Sequence, residues 1–262
     1  MSSLAASIAG IGFWAPGLPD WPQAAAFARG LAQPGEGRGL PAPQLLAPNE
    51  RRRAPETVAV ALEAAQAACT AAGHDPALLP PVFASTHGDL AITDYMCATL
   101  AAAPATISPT RFHNSVHNAA AGYWTIGVGC MRPATALSAY RASFAQGMLE
   151  ALAQLAVGDA GAVLLVAYDA QARGPLAAQA RSEGVLGAAL VLARNGGSGL
   201  PRLRATLADG APSAGDGPLA RYAAGNAMAP MLPLFDALAG EGDLVALEAG
   251  PGRVLRLEIA RD

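Results

Sequence analysis

The sequence predicts an α/β fold, and three observations carry that expectation. Stretches with helical periodicity alternate with short strand-like stretches along the chain. The runs "AGAVLLVAYDA" (160–170) and "GVLGAALVLAR" (184–194) are continuously apolar and of strand length, as in a sheet covered on both faces. Hydrophobic residues make up 52% of the chain and charged residues only 14%, which fills a deep core and leaves apolar surface for a partner. With 262 residues, a single domain spanning 1–262 is expected.

Taken in order, "SLAASIAGIGFW" (3–14) reads as a buried first strand, with Gly10 and Gly12 making a tight turn near its end. "WPQAAAFARGL" reads as a short helix starting near Asp20, and residues 32–49 are too rich in Pro and Gly for either periodicity. "PETVAVALEAAQAACTAAG" has Pro55 and Glu56 in its first turn, apolar residues all round, and Gly73 at its end, so it is a buried helix. "PPVFAST" is a short strand. "DLAITDYMCATLAAA" is a helix closed by Pro104. "NSVHNAAAGYWTIGVG" (114–129) reads as one helix whose Ala and Gly residues permit close backbone contact.

"PATALSAYRASFAQGMLEAL" (133–152) is a strand of small residues that turns into an amphipathic helix, with Tyr140 and Arg141 at the elbow. Phe144, Met148, Leu152 and Leu155 are spaced to line one helix face. The two apolar runs follow as strands, and "LPRLRATLADG" carries no assignment. A short helix "MLPLFDALAG" and the strands "DLVALEAG" and "RVLRLEIA" close the chain.

The net charge of −3 supplies no basic field for a phosphate backbone, which excludes nucleic acid as an expected partner. Glu50, Arg51, Arg52 and Arg53 read as a solvated helix entry. Cys69, Cys97 and Cys130 form no CxxC pair, so neither a disulfide framework nor a zinc cluster is expected, and a reducing cytoplasm fits. No targeting segment and no membrane span is expected.

Several stretches touch known chemistry without completing it. "GIGFWA" meets the dinucleotide-binding glycine pattern only with Ala15 in the third place, and Pro16 follows where a helix should start. No cofactor is therefore expected. His113 and His117 stand four apart, which on one helix is metal-ligand spacing, but Asn114 holds the position of the zinc enzymes' glutamate and a third ligand is missing. Polar capping and core roles are expected instead, and no metal. His87 could start a helix beside a pocket, and His74 sits at a helix end that suits a cation. Ser138 and Ser143 lack the flanking glycines of a serine nucleophile elbow, and Cys130 would need a base within reach to become a thiolate.

A strand turning sharply into a helix is where many enzymes expose a nucleophile to the helix's unpaired amides. In this arrangement the stretches resemble the β-ketoacyl synthase branch of the thiolase fold, and in particular its short relatives in bacterial aryl-polyene and xanthomonadin-type pigment clusters. "SIAGIGFWAPG" resembles the first strand and turn of a ketosynthase, and "ISPTRFHNSVHNAAAGYWTI" the S-P then N-x-x-A-G segment before its nucleophile. "GDAGAVLLVAYDA" is similar to the G-D-A-D strand and "SEGVLGAALVLAR" to the later G-x-G-A-x-x-L-V-L strand. The resemblance covers about residues 5–195, with 196–262 a reduced C-terminal part. It implies a thiolase-like layered α/β fold with mixed sheets and a truncated C-terminal half.

Ketosynthases carry their acyl-accepting cysteine at the elbow in a T-A-C-x-S-G context. The corresponding residues here are Ser138, Ala139, Tyr140, Arg141, Ala142 and Ser143, so Tyr140, or Arg141 in a register one residue later, stands in the nucleophile position. The two C-terminal histidines of the family are missing, since no histidine follows residue 195. The tyrosine ring is expected to fill the volume where substrate would enter.

Among cysteine-less relatives the resemblance implies the chain-length factor, a non-catalytic subunit that pairs with an active ketosynthase, closes its acyl tunnel and meets acyl carrier protein through the complex. "PATALSA" would pair across a two-fold interface. Tyr95, Met96, Thr99 and Leu100 would line the partner's tunnel, and His113, His117, Asn118, Trp124, Ala136, Ser138, Tyr140 and Phe144 complete the tunnel and interface set. Ordinary core packing competes for each of these. Two other readings stay open: a self-paired scaffold, homodimeric when alone, and an acyltransferase using Cys130 or Cys97 with His113 or His117.

Overall fold

The computed structural model describes residues 3–37, 39–197 and 199–261. The chain runs β1 (Leu4–Trp14), α1 (Trp21–Ala28), α2 (Pro48–Arg51), α3 (Glu56–Ala72), β2 (Pro81–Ala84), α4 (Leu90–Ala102), α5 (Pro109–His113) and α6 (Ala119–Val128). It continues through β3 (Thr135–Leu137), α7 (Ser143–Val157), β4 (Ala162–Asp169), β5 (Leu186–Ala193) and β6 (Arg202–Asp209), then α8 (Pro218–Tyr222), α9 (Leu232–Ala239), β7 (Leu244–Gly250) and β8 (Arg253–Ala260). The strands form one mixed eight-stranded sheet in the order β3-β2-β4-β5-β1-β6-β8-β7. Only β2 pairs in parallel, with β3 and with β4, and the other pairings are antiparallel.

Alternation along β4 builds the layers. Val163, Leu165 and Ala167 point into a cluster with Phe144, Met148 and Leu152 of α7 and Leu234 and Phe235 of α9. Ala162, Leu164, Val166 and Tyr168 point the other way, into a cluster with Val60, Leu62 and Ala65 of α3 and Trp124 of α6. A strand buried on both faces must be apolar at every position, which is why the two long runs read as they do. The helix–sheet–helix arrangement is the thiolase-like layered α/β fold that was expected.

Several expectations are corrected. Gly10 and Gly12 do not make a turn: they lie within β1, where a Cβ would collide with the carbonyls of Ala68 and Ala64 on α3. They are glycines because helix and strand backbones approach closely there. The stretch 114–129 is not one helix, since α5 ends at His113, Asn114 is its C-cap, and α6 begins at Ala119. "LPRLRATLADG" contains β6, whose pattern alternates exposed Arg202 and Arg204 with buried Leu203 and Ala205.

Other local signals hold. Asp20 caps α1 by accepting from Gln23 N–H at 2.8 Å, and Gly73 ends α3 in the left-handed conformation at φ 63°. Of the spaced residues on α7, Phe144, Met148, Leu152 and Leu155 are all buried.

Candidate functional site at the strand-to-helix elbow

β3 is three residues long and lies at one edge of the sheet. After it the chain passes through Ser138 and Ala139 into a 3-10 turn, Tyr140–Ala142, and then into α7. Tyr140 sits at φ 53°, the one non-glycine residue with positive φ among the described residues. An aromatic residue held there stores strain that surrounding contacts must offset. Ser143 Oγ donates to the Tyr140 carbonyl at 2.6 Å and accepts from Ala139 N–H at 2.9 Å, closing the turn on itself. Ser138 Oγ donates to Thr86 O at 2.9 Å and ties the elbow to the end of β2.

Beneath this lies a buried carboxylate that sequence reasoning missed. Asp169, at the end of β4, accepts from Ser85 Oγ at 2.8 Å, from Thr86 N–H at 2.9 Å and from His87 N–H at 3.2 Å. Burial pushes its pKa above the usual carboxylate range, and these hydrogen bonds oppose the rise. Asn226 links a further segment by donating to Glu183 O at 3.0 Å and to Asp169 O at 3.3 Å. The signal available was an Asp terminating an otherwise apolar strand, a position that forces its carboxylate to find partners.

The elbow borders a cavity of about 530 Å³ whose wall includes Thr86, His87, Tyr140, Arg181, Glu183 and Asn226. Arg141 leans across to Glu248 at 2.8 Å. Tyr140 is 64% exposed at the edge of this space, with the His87 ring 6.4 Å from its own. It therefore does not plug an enclosed pocket as expected.

The remaining residues singled out in the sequence separate into groups. Trp124 and Phe144 are fully packed inside the protein's own two cores, so neither presents a surface to a partner or a tunnel. His113 and His117 lie on either side of a helix break and share no helix face. The His113 ring meets Tyr123 at 6.1 Å, and His117 Nε2 lies 3.0 Å from Ser85 O. Among the described residues no group of three or more His, Cys, Asp or Glu side chains is placed to hold a metal ion. His117, Asn118 and Ala136 line a groove between α6 and the edge strand. Cys130 is buried with its Sγ 3.5 Å from Leu79 O.

α4 behaves unlike the other long helices. It is 13 residues of mostly apolar composition, "LAITDYMCATLAA", and none of its residues is buried. Leu100 is 54% exposed, and Phe112 on the following α5 is 61% exposed. Met96 and Thr99 are half-buried. Tyr95 is held in place, because its hydroxyl accepts from Ser108 N–H at 3.0 Å and the Arg111 guanidinium stands 4.0 Å over its ring. No helix among the described residues is long and apolar enough to cross a membrane.

With sheet, elbow and helices in place, the class is defined. Residues 19–228 match the family described as beta-ketoacyl synthase, N-terminal domain, and the chain belongs to that family. Its fold is similar to a chain in the structure of the ketosynthase ApeO in complex with its chain length factor ApeC from Xenorhabdus doucetiae, with TM-score 0.76 and 21% identity over 97% of this chain and 99% of that one. It is also similar to a chain in the AntDE:AntF structure, a type II PKS acyl-carrier protein in complex with its ketosynthase, with TM-score 0.76 and 13% identity over the whole of both chains. The ishigamide ketosynthase/chain length factor gives TM-score 0.71 and 16% identity over 98% and 99% of the two chains. No curated protein matches the sequence.

Proposed function

We propose that this chain is a chain-length factor: a non-catalytic subunit that pairs with an active β-ketoacyl-ACP synthase and shapes its acyl tunnel, in aryl-polyene or related polyketide synthesis in the cytoplasm. The observation that carries the reading is Tyr140. It occupies the one strained non-glycine position among the described residues, at a strand-to-helix elbow where an enzyme of this family would hold a cysteine. A phenol on that turn cannot form the acyl thioester through which condensation runs. The strained position favours Tyr140 over Arg141 as the residue standing in for the nucleophile.

Pairing with a ketosynthase is supported by the unburied apolar helix α4, by exposed Phe112 on α5, and by the open edge of β3. The similar structures of ketosynthases with chain length factors point the same way, and acyl carrier protein is then met through the complex. Coexpression with a ketosynthase of the same organism tests the reading. A one-to-one complex burying more than about 2,000 Å² is expected. Leu100→Asp or Phe112→Asp should disrupt that complex without unfolding the chain. Separate elution of the unmodified pair, or a covalent acyl adduct on this chain by intact mass, would overturn the reading.

A further inference from the structure

Residues 90–113 form an excursion from the sheet that holds α4, a 3-10 turn at Pro104–Thr106, and α5, and none of these residues is buried. The chain on either side is fixed. Before it, Ser85 and Thr86 are buried, Thr86 N–H donates to Asp169, and Gly88 N–H donates to Ser85 Oγ at 2.9 Å. After it, Asn114 is buried. α4 packs chiefly against α5, the turn Pro104–Thr106, and a second 3-10 turn, Pro175–Ala178, in the mostly exposed loop between β4 and β5. Neither α4 nor α5 makes an extensive contact with a strand of the sheet or with α3, α6 or α7.

A short set of contacts holds the excursion in place. Asp89 caps α4 by accepting from Ile92 N–H at 2.8 Å, and it ties that cap to α3 by accepting from Thr57 Oγ1 at 2.9 Å. Ser108 N–H donates to Tyr95 Oη at 3.0 Å, and the Arg111 guanidinium stands 4.0 Å over the same ring. Asp94 presses against Gly174, and the His113 ring lies 6.1 Å from that of Tyr123. Helices in proteins draw most of their stability from a buried apolar face, and a 13-residue helix without one is marginal in water. α3 is the opposite case, buried along most of its 17 residues.

We propose that residues 90–113 open and close as one arm while the sheet and its packed helices stay folded, with Gly88 and Asn114 as hinges, and that a partner ketosynthase captures the closed arm. Gly88 stands at φ 63°, which glycine adopts without strain, and Asn114 is the C-cap at which α5 ends. The closed population of the arm then scales the apparent affinity for the partner, since only that fraction is competent to bind. The capture step rests on the ketosynthase pairing proposed above, whereas the opening is a property of the chain alone.

The test is hydrogen exchange of the full chain, read by peptide mass spectrometry. Amides of α4 and α5 are expected to exchange at least about 100-fold faster than those of α3 and β4, relative to their intrinsic rates. Low concentrations of urea should speed exchange in α3 and β4 and leave the arm nearly unchanged, because opening the arm exposes little buried surface. Tyr95→Phe removes the acceptor for Ser108 N–H and keeps the ring, so it should speed the arm by about three- to tenfold and leave the urea midpoint of the whole chain in place. Equal protection of arm and α3, a common urea dependence, or a Tyr95→Phe effect that falls on the midpoint instead of the arm would overturn the proposal. Bound to a ketosynthase, the arm amides should slow by at least about tenfold, and a complex whose arm exchanges as it does in the free chain would overturn the capture step. Failure of any complex to form would count against the pairing and remove the capture with it, while exchange in the free chain still decides whether the arm opens.

Discussion

The Ser143 hydroxyl spans the elbow, donating to the carbonyl of Tyr140 at 2.6 Å while accepting from Ala139 N–H at 2.9 Å. One side chain thus closes the turn that holds Tyr140 at φ 53°. Ser143→Ala removes both bonds at a half-buried turn, so a loss of about 1–2 kcal/mol is expected by urea denaturation. Tyr140→Gly adopts the same backbone without strain and should stay within about 1 kcal/mol of the parent. Tyr140→Ile carries a β-branched side chain into that region and should be less stable than the glycine variant by about 1–2 kcal/mol.

Gly12 tests the contact between β1 and α3. Its missing Cβ would point at the Ala64 carbonyl, and backbone on both sides prevents relief by a rotamer change. Gly12→Ala should force strand and helix apart and cost about 3 kcal/mol or more, seen as loss of soluble folded protein or a large fall in the denaturation midpoint. By contrast Gly122→Ala, on α6 with open space at its Cβ, should be neutral or slightly stabilising.

Why some of this was legible and some was not follows from the range of the forces involved. β4 and β5 are readable because burial on both faces demands apolar residues at every position, and Asp20 and Gly73 are readable because caps act within one turn. β6 carries a readable period of two in Arg202, Leu203, Arg204 and Ala205, although its arginines obscure the strand propensity. The reason for Gly10 and Gly12 lies more than fifty residues away on α3, and the elbow cavity draws Arg181 and Asn226 from distant segments. No local pattern encodes such meetings. The break between His113 and His117 comes at Asn114, the C-cap of α5, and α6 begins only at Ala119.

Asp169 gives the pH dependence a sign. Burial raises its pKa in the folded protein above the unfolded value near 3.9, so the folded state binds the proton more tightly. Stability from this group is therefore greatest below about pH 4 and declines as pH rises from there through the raised folded pKa. In Asp169→Asn the site no longer titrates, and one amide must face a backbone donor that the carboxylate accepted. The cost of that substitution should accordingly be larger at pH 4.5 than at pH 7.5 in urea denaturation. A cost that grows with pH would mean the hydrogen bonds from Ser85, Thr86 and His87 outweigh burial.

Product length is the sharpest test of what α4 does. Of the four residues on it proposed to face the partner's tunnel, Tyr95 is anchored by Ser108 and Arg111, whereas Leu100 is exposed and Met96 and Thr99 are half-buried. Shortening a side chain that closes a tunnel leaves volume for a longer acyl chain, and the effect falls on length more than rate because the chemistry belongs to the other subunit. Met96→Ala, Thr99→Ala and Leu100→Ala, coexpressed with the ketosynthase, should shift the product distribution by mass spectrometry toward longer chains with turnover within about threefold. Tyr95→Ala should behave differently: losing the Ser108 bond and the Arg111 stack loosens the α4–α5 junction, lowering complex yield by several-fold along with any change in length. No residue of α4 is buried in the chain itself, so a stability loss of about 2–5 kcal/mol for Met96→Ala, as in a packed core, is not expected. An unchanged distribution in all intact complexes would remove this helix from length control and leave the role of Tyr140 untouched.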